Sequence, residues 1–136
     1  MPRIFGLNVV GVLVASVAFF MVGYAVYGAI FSELWMSLQG VSEADVEAAG
    51  MGWLAPAFLI TVLQMTGLAT ILKWRGVSDI MCAVLTAVAV WAFFGLPLMA
   101  YDPIYVPGES PMLLVIDGVH LFFGWIVGAI VLAVLK

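Results

Sequence analysis

Charge is scarce in this sequence: Lys and Arg number 4 and Asp and Glu 8 in 136 residues, while 66% of the chain is hydrophobic. An ordinary water-soluble domain carries charge on about a quarter of its residues, so that class is excluded. Cysteine is reduced to Cys82, which rules out an internal disulfide. Histidine is reduced to His120, and with no second histidine and no cysteine motif a metal site is not expected. The formal net charge of -4 argues against nucleic acid or anionic lipid as partners. No activated nucleophile, phosphate-binding loop, haem motif or lipidation signal occurs, so neither an enzyme nor a cofactor is expected.

What the chain does have is hydrophobic length. Stretches at about residues 4 to 31, 52 to 73, 78 to 100 and 112 to 135 can each cross a hydrocarbon core of ~30 Å. Helices are expected, because a helix satisfies its own backbone hydrogen bonds in lipid, and the alternating pattern of a membrane barrel is missing. The expected fold is an all-α membrane protein, one domain over 1-136, with four transmembrane helices in a compact bundle. Arg3 and the apolar run after it could be read as a secretory signal, with Ser16-Val17-Ala18 as the cleavage site. The run continues to Phe31, which suits a retained first span better.

Arg3 precedes the first span, Lys73 and Arg75 lie between the second and third, and Lys136 follows the fourth. This sorting predicts both termini in the cytoplasm. The other two connections carry Glu33, Glu43, Asp45, Glu47, Asp102 and Glu109, with no Lys or Arg. In the first of them Ser42 and Asp45 match a capping box, Val41 and Val46 are spaced for a hydrophobic staple, and Gly50 can close the turn, so a short surface helix is expected. In the second, Pro107-Gly108 suits a type II turn, Ser110 an N-cap and Pro111 the first helical position.

The fourth stretch organises the rest. At 100° per residue, Asp117, His120, Gly124 and Gly128 fall within roughly 80° of one another. A carboxylate and an imidazole are costly in lipid and should face protein or a wet cavity. The glycines allow a neighbouring backbone to approach, inside the bundle or between protomers. In the first span Asn8, Gly11, Ala15, Ala18, Ala25 and Ala29 share the packing face, opposite Ser16, Phe20, Tyr24, Tyr27 and Phe31. Tyr24, Tyr27, Trp35 and Trp53 suit an aromatic belt at the headgroups. In the second span Ala57, Thr61, Gln64 and Gly67 share a face, and Gln64 is placed to bridge two helices. Gly76 and Ser78 should turn the chain and cap the third helix, with Asp79 in its first turn. Gly95 and Pro97 should kink or break that span.

By depth, Tyr24, Thr61, Trp91, Asp117 and His120 lie roughly 8 to 14 Å from the outer ends of their spans, with Gln64 deeper at ~18 Å. Two uses of such a layer stay open. A carboxylate one turn before a histidine can orient the imidazole and make a proton-accepting pair near neutral pH. Alternatively, Asp, His and Tyr satisfy one another and hold the bundle together.

The run from Asn8 through Gly23, Tyr27, Phe31 and Trp35 resembles the start of the domain-of-unknown-function 1761 family, small bacterial integral membrane proteins with about four predicted spans. Val26 stands where the family pattern commonly has Trp before the Tyr. The resemblance implies a bacterial cytoplasmic membrane and implies no activity. Two expectations follow. The first is a non-catalytic structural or accessory component in the lipid bilayer, forming a homo-oligomer or part of a larger membrane complex. The second is a small transporter or channel-like protein that moves protons, a cation or a small solute, its ligand unknown, past Asp117, His120, Tyr24, Thr61 and Gln64.

Overall fold

In hydrocarbon no water competes for backbone N–H and C=O groups, so long apolar stretches fold into uninterrupted helical runs. The computed structural model describes residues 2–135 and contains four such runs: Val9–Ile30, Leu54–Trp74, Ile80–Tyr105 and Pro111–Val134, of 22, 21, 26 and 24 residues. At 1.5 Å per residue they measure about 31 to 39 Å, enough to cross a core of ~30 Å. The chain is thereby a multi-pass membrane protein by length and composition, and its outward faces are rich in exposed Leu, Val and Phe. Arg3, Lys73 and Arg75 gather at one end of the helices, here the basic end, and the six acidic residues of the two long connections at the other, the acidic end. Lys136, expected at the basic end, lies outside the described residues.

The first span starts at Val9 rather than near residue 4, because Arg3–Ile4 and Leu7–Asn8 pair as an antiparallel hairpin. Phe5 and Gly6 turn it with φ of 53° and 76°, the two positive values that a type I′ turn needs. A phenylalanine resists that conformation. The Lys73 ammonium secures it by donating to the Phe5 carbonyl at 2.7 Å. Asn8 then caps the first span, accepting from the amides of Val10 and Gly11 at 3.1 and 3.3 Å, while its Nδ2 donates to the carbonyl of Leu135. The two ends of the span set are fastened together there.

At the acidic end Ser42 and Asp45 form the expected capping box on the helix Glu43–Ala49, and Gly50 closes it at φ 63°. Hydrogen bonds from the Ser42 hydroxyl and amide hold the Asp45 carboxyl below the usual carboxylate range. That contribution to folding is present above the range and is lost as pH falls through it. A further helix, Ser32–Gln39, precedes it and was not foreseen. At the basic end Gly76, at φ 61°, ends the second span, with the Val77 amide donating to Leu72 at 3.1 Å as in a Schellman motif. Asp79, rather than Ser78, caps the third span by accepting from the Cys82 amide at 2.8 Å. That span runs past residue 100 to Tyr105, because Pro103 falls in the first turn of the resumed helix, where its missing N–H costs nothing. Pro107 and Gly108 make a type II turn, with Gly108 at φ 89° and the Glu109 amide donating to Val106 at 3.2 Å.

The fourth span touches each of the other three, and the first also packs on the second. Gly11, Ala15, Gly124 and Gly128 are all buried. A Cβ on Gly124 would stand 2.6 Å from the Phe19 ring, and one on Gly128 would meet the Met65 sulfur. The glycine pair is therefore occupied within the chain, by the first and second spans. Gly67 does not join the packing face. The buried row of the second span runs through Thr61, Met65, Leu68 and Leu72, about a third of a turn from Gly67, which is exposed with nothing within 4 Å.

An alanine series reads these contacts. Glycine to alanine inside a helix gains up to ~1 kcal/mol, whereas overpacking a filled core costs about 1–3 kcal/mol. In thermal unfolding in detergent, Gly124→Ala is expected to destabilise, because the Phe19 ring is 2% exposed and has no room to yield. Gly128→Ala should destabilise less, since Met65 is also fully buried but the end of its side chain is flexible, and Gly67→Ala should stabilise slightly. Equal melting temperatures for Gly124→Ala and Gly67→Ala would refute this packing.

Candidate functional site

Two helical irregularities aim side chains at one turn of the fourth span. In the third span Pro97 has no N–H and crowds the carbonyl of residue 93, and the chain responds with a π segment, Trp91–Gly95, in which the Leu96 amide reaches back to the Trp91 carbonyl. In the first span Tyr24–Ile30 is also π-helical, and the Phe31 amide donates to Val26 at 2.9 Å. A π turn takes in more residues than an α turn, so each later side chain lags behind its α position. Tyr27 consequently turns inward beside the buried Val26, while Ala25 and Ala29 are exposed. The packing face is also turned from the expected one before this point, since Ser16, expected opposite it, is fully buried beside Ala15 and Phe19.

The Tyr27 hydroxyl donates to Oδ1 of Asp117. His120, one turn on, lies between two aromatic rings: Tyr27, edge-on at 5.0 Å between centroids, and Phe19, tilted at 4.9 Å. Its Nε2 is seated on Gly23, where an added Cβ would stand only 3.0 Å away. That nitrogen is buried with no hydrogen-bond partner among the described residues. Trp35 closes over Tyr27 edge-on at 6.1 Å. From the other side the Trp91 indole donates to the Gly118 carbonyl at 2.9 Å and meets Phe122 edge-on at 4.9 Å. The first and third spans thus each send one aromatic donor to adjacent residues of the fourth.

A second polar crossing lies deeper. Nε1 of Trp125 donates to Oε1 of Gln64 at 2.9 Å, and the indole also fits against Gly95, where a Cβ would be 3.0 Å from the ring. Gln64 therefore bridges two helices. Trp125 was missed in the sequence, although a tryptophan deep in a span needs an acceptor and Gln64 was the mid-membrane side chain able to supply one.

Of the candidate layer, Asp117 and His120 meet at Tyr27, Trp91 reaches the neighbouring Gly118, and two members do not join them. Tyr24 is 69% exposed and turned away from the bundle, with its ring lying along Gly28. The π segment gives its place to Tyr27. Thr61 is buried, but its hydroxyl donates to its own helix at the Ala57 carbonyl, 3.1 Å away, as Thr66 and Thr70 do one turn back from themselves. No cluster of three His, Cys, Asp or Glu able to hold a metal occurs among the described residues. A cavity of ≈190 Å³ lies at the basic end, and a shallow apolar groove runs between the third and fourth spans beside Trp91 and Phe122. Neither is lined by Asp117 or His120.

The family model for a protein of unknown function, DUF1761, matches residues 10–133. The chain belongs to the DUF1761 family. The match includes all the side chains of the polar cluster and leaves the hairpin residues Arg3 to Asn8 outside it. No curated protein and no solved structure matches the chain.

If the Tyr27 bond to Asp117 holds the spans together, removing one partner should cost more than removing both. A polar group left unpaired inside costs about 1–3 kcal/mol, whereas replacing both partners by apolar groups can be nearly neutral. Tyr27→Phe is expected to lower the unfolding temperature in detergent, and adding Asp117→Leu should restore most of the loss. A silent Tyr27→Phe, or a double variant worse than the sum of its singles, would rule out that role.

Proposed function

We propose that this protein is a non-catalytic component of the bacterial cytoplasmic membrane, acting as an oligomer or as an accessory subunit of a larger membrane assembly. The observation that carries this reading is that its two most costly side chains are engaged by partners within the chain. Asp117 is bonded to Tyr27, and His120 is clamped between Tyr27 and Phe19 on Gly23. Intramembrane ionisable groups that serve transport face a wet path. These two are half-buried and take their contacts from within the chain, Asp117 from the Tyr27 hydroxyl and His120 from two rings and Gly23.

In this reading the basic end faces the cytoplasm, since Arg3, Lys73 and Arg75 follow the positive-inside bias. The acidic connections lie outside, with the helix Glu43–Ala49 resting on the membrane surface. A four-span chain encloses little space of its own, which supports association with further helices. Cross-linking in native membranes should trap a species larger than the monomer, and finding monomer alone would overturn that part of the reading.

One observation favours a second reading, a small transporter with a proton relay. Nε2 of His120 is buried without a hydrogen-bond partner among the described residues, a cost that a purely structural imidazole has no need to carry. Accessibility separates the two. In a Cys82→Ser background, Thr61→Cys and His120→Cys are expected to resist a membrane-impermeant thiol reagent applied from the acidic side. Rapid labelling at both positions in folded protein would overturn the structural reading and point to an aqueous path for protons or a small cation.

A further inference from the structure

Charge in this chain is scarce but not evenly spread. Six of the acidic residues belong to the connections at the acidic end, and Asp117 is bonded to Tyr27. Among the described residues the basic end keeps Arg3, Lys73 and Arg75 against Asp79 alone, and that carboxylate already accepts the Cys82 amide as a helix cap. The overall charge of -4, which on its own argues against anionic lipid, therefore conceals a local positive excess. Electrostatic attraction to a lipid surface is read over about a Debye length, ~8 to 10 Å, so the local excess decides.

That excess borders a space. The cavity of ≈190 Å³ opens at the basic end among the hairpin and the first, second and fourth spans. Arg3 and Lys73 line it together with apolar walls that include Val12, Ala69, Leu72 and Leu132. It is larger than the ~150 Å³ engineered cavity that takes up benzene, so it has room for an organic group. Lys73 is bonded to a neutral acceptor, the Phe5 carbonyl, and neither it nor Arg3 forms an ion pair among the described residues. Two aromatic side chains mark the same end as interfacial: Phe5 at the hairpin tip is 93% exposed and Trp74 is 81% exposed. Aromatic rings at a span end sit at the headgroup level.

We propose that this cavity binds an anionic phospholipid, with the phosphate held between Arg3 and Lys73 and the adjoining glycerol and first methylenes lying against the apolar walls. Two cations at the rim of an apolar pocket match a molecule that is anionic at one end and hydrocarbon immediately below it. A free phosphate would gain nothing from the walls, and a zwitterionic lipid would lack the net charge that Arg3 and Lys73 complement. The hairpin, outside the family match, supplies Arg3, while Lys73 both pins the hairpin turn and faces the ligand. This site is independent of the polar cluster at the acidic end and of the function proposed for it.

Native mass spectrometry of the full chain in detergent tests the site with three probes: phosphatidylglycerol, phosphatidylcholine and inorganic phosphate. Phosphatidylglycerol is expected to stay bound at collision energies that strip phosphatidylcholine, and a tenfold molar excess of inorganic phosphate should not displace it. Arg3→Gln with Lys73→Gln should reduce the retained fraction at least fivefold. Lys73→Arg should keep most of it, and Arg75→Gln, whose guanidinium donates to Thr86 on the third span, should keep all of it. Should the double variant fail to fold, Ala133→Leu intrudes on the cavity and leaves both cations, so it is expected to lose retention as well. Equal retention of the two lipids would overturn the proposal, as would displacement by phosphate, unchanged binding in the double variant or in Ala133→Leu, or equal loss in Arg75→Gln.

Discussion

Inside a bilayer, bringing two apolar helices together removes no hydrocarbon from water, so the usual driving force for packing is missing. What fixes one span against another has to be close approach of backbones and a few hydrogen bonds. This chain uses both on its fourth span. Gly124 and Gly128 admit Phe19 and Met65, and three aromatic donors cross between helices: Tyr27 to Asp117, Trp91 to the Gly118 carbonyl, and Trp125 to Gln64. Each donor carries a single polar hydrogen on a large apolar body, so one bond satisfies it and the remaining surface packs as hydrocarbon would. Each crossing joins a different pair of helices, so the first, second and third spans are all held to the fourth.

The two π segments belong to the same arrangement. A uniform α-helix would carry Tyr27 toward the rim of the buried face. The widened turns from Tyr24 to Ile30 bring it onto Asp117. In the third span Pro97 forces the backbone open, and the segment that absorbs the strain is the one bearing Trp91 and Gly95. Trp91 becomes a donor to the fourth span, and Gly95 becomes the floor under Trp125. A local defect imposed by one residue thus positions two contacts made by others.

Which parts of this were legible in the sequence follows from range. Hydrophobic length, the glycine stripe, the capping box at Ser42, the Pro107-Gly108 turn and the bridging Gln64 each depend on residues close in sequence or on one uniform period. Those expectations match the structure. The hairpin at Arg3 to Asn8 was hidden because its residues continue the apolar run, and Lys73, far along the chain, stabilises its turn. Depth put Tyr24 in the layer, and a uniform 100° per residue carried through Tyr24–Ile30 set both tyrosines on the face opposite the packing face. No proline there marks the change. Thr61 was placed by depth alone, and depth does not say that a hydroxyl will bond its own helix.

The bond from the Asn8 side chain to the Leu135 carbonyl joins the start of the first span to the end of the fourth. Seen from above, the described residues therefore trace nearly a closed loop that is open at the basic end. A short bridge across that opening would leave the circular order of helices intact, and the break could be moved into an acidic connection, at Gly50 or Gly108, where the backbone already turns with positive φ. The order of neighbours around the fourth span is the property such a rearrangement would preserve.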